Sequence, residues 1–372
     1  MDLVARLDAA MDKAIAADRI VGSVLILAQH GRIVHRRAAG YADREARVPM
    51  PADAIFRLAS VTKPMIAATA LAQVERGLLG LDNAVADYLP YFRPGLASGI
   101  QPTIRIRHLL THTAGLTYDY AADPEINTGM LNTNLDFEAN FSRVARQPLL
   151  FEPGTRWEYS IAIDVLGAIV AGVHGGSLDD ALRHYVTGPL GMADTGFSVS
   201  DLGRLVHPYA DASPRPVVMS DPHVVTRNGE STGFSPGRIF NRHAFQSGGA
   251  GAVGTADNLL LFFEALRTGG SPILRPDTVA QAVQNQIGDA PRGEDDVGRR
   301  FGYFGSVLVD PAAAGTPQGA GTIEWGGIYG HSWFVDPVAG YTMVSLTNTA
   351  VEGCTGTYPD ELIDAIYDRT TD

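Results

Sequence analysis

Leu3, Leu7, Met11 and Ile15 recur every four residues with Arg6, Asp8, Asp12 and Lys13 between them, the spacing of an amphipathic helix. Two strand-like runs follow, 23–29 and 32–39, and His30-Gly31 between them predicts a hairpin. Within the first run Val24-Leu25-Ile26-Leu27 is apolar on both faces, as a central strand requires. From about 78 to 290 the period lengthens to that of helices, clearest over 103–111, 161–173, 177–186 and 256–266. The last of these has Thr255 as a predicted N-cap and Asp257 in its first turn. Residues 204–246 are rich in Pro, His, Arg and Gly with little periodicity, which predicts a long excursion that shapes or covers a site. Beyond Phe301 short β-branched and aromatic runs return at 303–309, 322–328, 332–335 and 342–347. Pro359-Asp360-Glu361 then opens a last helix with Leu362, Ile363 and Ile366 on one face.

Helix and hairpin at the start, meander and helix at the end, predict one antiparallel sheet built from both chain ends. The expected fold class is α/β (α+β), with residues 1–60 and 291–372 forming a sheet lobe and 61–290 an inserted, mainly helical lobe. A site is expected in the cleft between the lobes.

Composition narrows the classes. With 372 residues and 45% apolar content the chain can bury a large core. Its net charge of −12, unbroken by any Lys/Arg run, gives no footprint for nucleic acid. One cysteine, Cys354, excludes an internal disulfide and a Cys-based metal cluster. Neither a Gly-rich loop ending in Gly-Lys-Ser/Thr nor a bilayer-length apolar run is present, so no cofactor and no membrane partner are expected. Met1-Asp2-Leu3-Val4-Ala5-Arg6 lacks a basic-then-apolar profile, which predicts a cytoplasmic protein.

Candidate chemistry centres on Ser60-Val61-Thr62-Lys63-Pro64. Pro64 fits a helix only in its first turn, so a helix starting near Ser60 puts Lys63 one turn later on the same face. Ser60 and Lys63 are then a candidate nucleophile and base, although Ser-x-x-Lys also arises as a cap serine beside a solvated lysine. Tyr159-Ser160 follows the turn Glu152-Pro153-Gly154 and stands before the 161–173 helix. A nearby ammonium such as Lys63 would ease ionisation of Tyr159 and make it a second candidate base; the alternative is a half-buried tyrosine at a helix start. Trp325-Gly326-Gly327-Ile328 reads as a strand whose glycines admit close approach, able to offer a main-chain N–H to an oxyanion beside that of Ser60. A β-bulge packed in the core is the alternative there. Two further patterns are set aside. Gly233-Phe234-Ser235-Pro236-Gly237 resembles a nucleophile elbow, but Pro236 has no N–H to serve as oxyanion donor. His108 and His112 have zinc-site spacing without the intervening glutamate.

Taken in this order, Ser-x-x-Lys, Tyr-Ser and a Gly-containing strand resemble the serine β-lactamase and penicillin-binding-protein superfamily. Arg107-His108-Leu109-Leu110-Thr111-His112-Thr113-Ala114-Gly115-Leu116 and Ser247-Gly248-Gly249-Ala250-Gly251 are similar to blocks of its class C-like branch. Penicillin-recognising members carry Tyr-x-Asn and Lys-Thr-Gly, where this chain has Tyr159-Ser160-Ile161 and Trp325-Gly326-Gly327. Ile161 cannot hydrogen-bond a substrate amide, and Trp325 cannot pair with its carboxylate. Those departures resemble the family VIII carboxylesterases. The resemblance implies Ser60 as nucleophile, Lys63 and Tyr159 as base pair, and Tyr118 and Trp325 as pocket walls beside Gly327. The N–H groups of Ser60 and Ile328 become the oxyanion hole. It implies a small-molecule ester as substrate, with an acyltransferase, a β-lactamase or D-amino-acid peptidase, and a silent binding module as alternatives.

Overall fold

The computed structural model describes residues 1–369 except 228, 291 and 293–295. Residue 291, where the sheet lobe is expected to resume, and 370–372 at its end lie outside the described residues. The main sheet comprises β1 (Gly22–Gln29), β2 (Arg32–Asp43), β3 (Val48–Pro49), β4 (Arg299–Phe301), β5 (Ser306–Leu308), β6 (Ile323–Gly327), β7 (His331–Asp336) and β8 (Tyr341–Thr347). Their order is β4-β5-β6-β7-β8-β1-β2-β3, every neighbouring pair antiparallel. The two chain ends therefore meet in mid-sheet, where Ser23 faces Thr347 and Gln29 faces Tyr341. The hairpin forms at His30-Gly31 with both residues at positive φ (48° and 81°), the twist that two-residue turns need. Strand β1 is buried along all but its last residue.

Helices α1 (Leu3–Ala16) and α5 (Tyr358–Ile366) cover one face, burying Leu7, Met11 and Leu362 against Leu25, Leu27 and Phe334. On the other face lies α4 (Ala256–Arg267), whose Phe263 stacks on Trp333 of β7 at 4.1 Å. The sequence division puts α4 in the helical lobe; in the structure it is part of the sheet's packing. The core runs on without a break into α2 (Thr62–Glu75) and α3 (Ala162–His174). Every residue of α2 from Thr62 to Gln73 is buried, so the helix is a central pillar and its polar groups must find partners. Thr69 Oγ1 donates to Met65 O at 2.8 Å and Gln73 Nε2 to Val170 O at 3.0 Å.

Some elements differ from expectation. The 103–111 helix is only Ile106–Leu110, and 177–186 is a short helix, Leu178–Leu182, followed by a π turn, Arg183–Thr187. The 204–246 excursion holds two small hairpins, Tyr209–Ala210 with Val217–Val218 and His223–Arg227 with Glu230–Phe234. No single helix among the described residues is long and apolar enough to cross a membrane.

Candidate active site

Ser60 sits in a single 3-10 turn, Ala59–Val61, which leads directly into α2. Ala59 before it holds φ at 45°, an uncommon conformation for a residue with a Cβ, and is fully buried. One turn on, Lys63 is 5% exposed, and its Nζ donates to Ser60 Oγ at 3.1 Å and to Gly249 O at 2.8 Å. The same ammonium lies 4.8 Å from the ring centre of Tyr159 and 5.5 Å from that of Tyr118. It thus faces both tyrosine rings.

Tyr159 enters from the segment preceding α3. Its hydroxyl accepts a hydrogen bond from Trp325 Nε1 at 3.1 Å, which fixes the phenol at the strand carrying Trp325. Its ring packs 5.3 Å from Tyr118, 5.1 Å from Trp325 and 4.8 Å from His112. His112 Nδ1 accepts from Ser160 N–H at 3.2 Å, leaving the proton on Nε2. Burial, reinforced by Lys63 and Arg292, holds that imidazole well below its ordinary pKa, hence neutral. Burial likewise pushes the Tyr118 phenol well above its ordinary value, with Tyr159 and Asp164 adding to the shift.

Strand β6 supplies the opposite wall. A Cβ at Gly327 would stand 2.4 Å from Leu58 O, and one at Gly326 2.7 Å from Cys354 Sγ. Gly327 is therefore required for the strand to approach the Ser60 turn, and Gly326 for it to pass Cys354. Ser60, Tyr159, Trp325, Gly326 and Ile328 line one cleft of about 490 Å³. Tyr118, whose ring packs against that of Tyr159, is not among its lining residues. Among the described residues neither the Ser60 nor the Ile328 N–H finds a backbone acceptor in the turns and loops.

Three groups in the site escaped sequence reasoning. Asp164, fully buried on α3, accepts at Oδ1 from Ser247 Oγ and from Gly249 N–H, the latter at 3.1 Å. Its Oδ2 has no partner among the described residues, and burial raises its pKa against the pull of Lys63. An acid inside the otherwise apolar 161–171 run was the available signal. Gly249 joins Asp164 to Lys63, its N–H held by one and its carbonyl by the other. Arg292 lies 4.9 Å from the Trp157 ring, 5.4 Å from Phe301 and 5.6 Å from Trp325, and pairs with Asp296 at 2.6 Å. Burial brings its guanidinium down to about 10. A cation thus stands beside Trp325 after all, supplied by another segment and already matched.

The two dismissed patterns are structural. Ser235 lies between the strand Glu230–Phe234 and a 3-10 turn, a more elbow-like setting than an irregular excursion, but that strand belongs to a surface hairpin and Pro236 still lacks an N–H. His108 Nδ1 caps its helix by accepting from Arg105 N–H at 3.2 Å, and no trio of metal-ligating side chains occurs among the described residues.

A sheet of both chain ends, a helical insertion, and serine, lysine and tyrosine meeting at its edge define a serine-hydrolase type of the penicillin-recognising fold. The chain belongs to the Beta-lactamase family, which it matches over residues 7–366. It is 47% identical to Esterase EstB of Burkholderia gladioli over 99% of this chain and 96% of that one. A solved structure described as EstCE1, a hydrolase with promiscuous acyltransferase activity, superposes with a TM-score of 0.92 at 43% identity, covering 98% of both chains. Unliganded simvastatin synthase from Aspergillus terreus shares the fold at a TM-score of 0.76 and 23% identity, over 99% of each chain.

Proposed function

We propose that the protein is a family VIII-type carboxylesterase that hydrolyses small esters through an acyl-enzyme. The observation carrying this reading is the buried Lys63 Nζ donating to Ser60 Oγ at 3.1 Å in a cleft shared with Tyr159 and Trp325. Ser60 Oγ attacks the ester carbonyl carbon as its proton passes to the Lys63–Tyr159 pair. The resulting oxyanion accepts from the Ser60 and Ile328 N–H groups, and its collapse expels the alkoxide, which takes up the proton and leaves as alcohol. Water then attacks the acyl carbon, Tyr159 receiving its proton, and the carboxylic acid departs as Ser60 regains its hydrogen.

The preference for an ester over a lactam rests on two positions. Ile161 is fully buried and offers no hydrogen bond, and Trp325 holds the tyrosine where an anion-binding cation stands in penicillin-recognising enzymes. Acyl transfer to an added alcohol is a second reading, favoured by the similarity to EstCE1. Ser60→Ala is expected to abolish hydrolysis of a short-chain nitrophenyl ester, and Ser235→Ala to leave it largely intact; the reverse pattern sinks the assignment. Product analysis with and without an acceptor alcohol partitions hydrolysis from transfer. Nitrocefin turnover at the rate of ester hydrolysis would favour a lactamase instead.

A further inference from the structure

Behind the proposed oxyanion donor the chain makes an unusual turn. Val351 has φ 73° and ψ −60°, and Glu352 N–H donates back to Ala350 O at 3.1 Å. This is a γ-turn of the rare, strained hand, here with a β-branched residue at its centre. Such a conformation persists only where its surroundings over-determine it, and both flanks are anchored. Ala350 N–H donates to Tyr209 O at 2.8 Å. The Glu352 carboxylate pairs with Arg19 at 2.9 Å and accepts from Tyr358 N–H at 3.2 Å. From the apex, Val351 N–H donates to Ile328 O at 3.0 Å. The Val351 side chain is buried in an apolar cluster with Ala59, Tyr329 and Ala350, against which Ile328 packs.

We infer that Val351 is a positioning residue: its strained turn grips the Ile328 carbonyl and so holds residue 328 with its N–H aimed at the oxyanion formed on Ser60. This rests on the ester-hydrolase reading and on Ile328 as donor. Ala59 and Val351, both at positive φ, share one cluster, so both amide donors are braced from the same side. Because the oxyanion exists only after attack, loosening the brace acts on the transition state rather than on substrate binding.

The test uses the full-length enzyme, a short-chain nitrophenyl ester and a fluorophosphonate that phosphonylates Ser60. Val351→Gly makes the turn unstrained and mobile. Its kcat is expected to fall about tenfold or more, with KM within about twofold, phosphonylation slowed in parallel, and the thermal midpoint lowered by the lost packing of the buried side chain. Val351→Ala, which retains a Cβ and hence the strain, is expected to keep more of kcat than the glycine variant. A kcat for Val351→Gly within about twofold of the parent overturns the inference; so do equal losses in both variants, which would assign the effect to side-chain packing. Ser60→Ala in the same assay separates the two levels: if it stays active, the ester-hydrolase reading itself fails. If it is inactive while Val351→Gly is unimpaired, only the role of Val351 fails.

Discussion

Gly327 and Asp164 set the site's dimensions from opposite sides. Gly327→Ala brings a Cβ to within 2.4 Å of Leu58 O, and a backbone atom cannot yield as a side chain can. The strand must shift away from the Ser60 turn, and a displacement near 1 Å is expected to reduce kcat about 100-fold; steady-state kinetics beside a circular-dichroism check of folding tests this. Asp164→Ala leaves Gly249 N–H without its acceptor and loosens the carbonyl that holds Lys63. Asp164→Asn keeps an acceptor oxygen at that place, so the asparagine variant is expected to retain clearly more activity than the alanine one. Ser60, Lys63 and Tyr159 stand out in the sequence by residue type and spacing, and the structure brings Lys63 to both of the others. Asp164 was not, since its role depends on facing Gly249 from a distant segment. Tyr118, a pocket wall by resemblance, packs its ring 5.3 Å from that of Tyr159.

At the scale of elements, most helices and strands followed from period and punctuation. The amphipathic α1, the doubly apolar β1 and the Thr255 cap lie where the pattern placed them. Thr255 Oγ1 accepts from Asn258 N–H at 3.2 Å, so Thr255→Ala is expected to cost about 1 kcal/mol of stability. That appears as a lowered urea midpoint. The excursion was the illegible part. Its hairpins are five residues a strand or shorter and are held by tertiary contacts such as Tyr209 N–H to Asn348 O at 2.7 Å. Pairings of that kind leave little alternation to read.

For the whole molecule, burial of histidines links folding to pH. Burial pushes His331 down to about 4, and holds His112 well below its ordinary value. Both are neutral in the folded chain, while unfolded histidines take up a proton near pH 6.5. The unfolded state therefore binds more protons below that pH. Stability is complete above about pH 6.5 and falls as the pH drops towards 4, by about 1.4 kcal/mol per unit for each such histidine. Thermal midpoints measured from pH 7.5 to 4.5 should decline on the acid side, and His331→Gln should flatten the decline. A profile independent of pH over that range contradicts it. The packing of α4 could not be read from the sequence, because the helix sits in the middle of the chain yet packs on a sheet made from its ends.

The meeting of both termini in mid-sheet also governs when activity can arise during synthesis. Strand β1 leaves the ribosome long before its partner β8. Until then β1 presents an apolar ribbon with one open edge, a hazard for association with other nascent chains. Ser60 is likewise made early, whereas Trp325, Gly327 and Ile328 come near the end. A nascent chain stopped before β6 is therefore expected to hold Ser60, Lys63 and Tyr159 and still be catalytically silent.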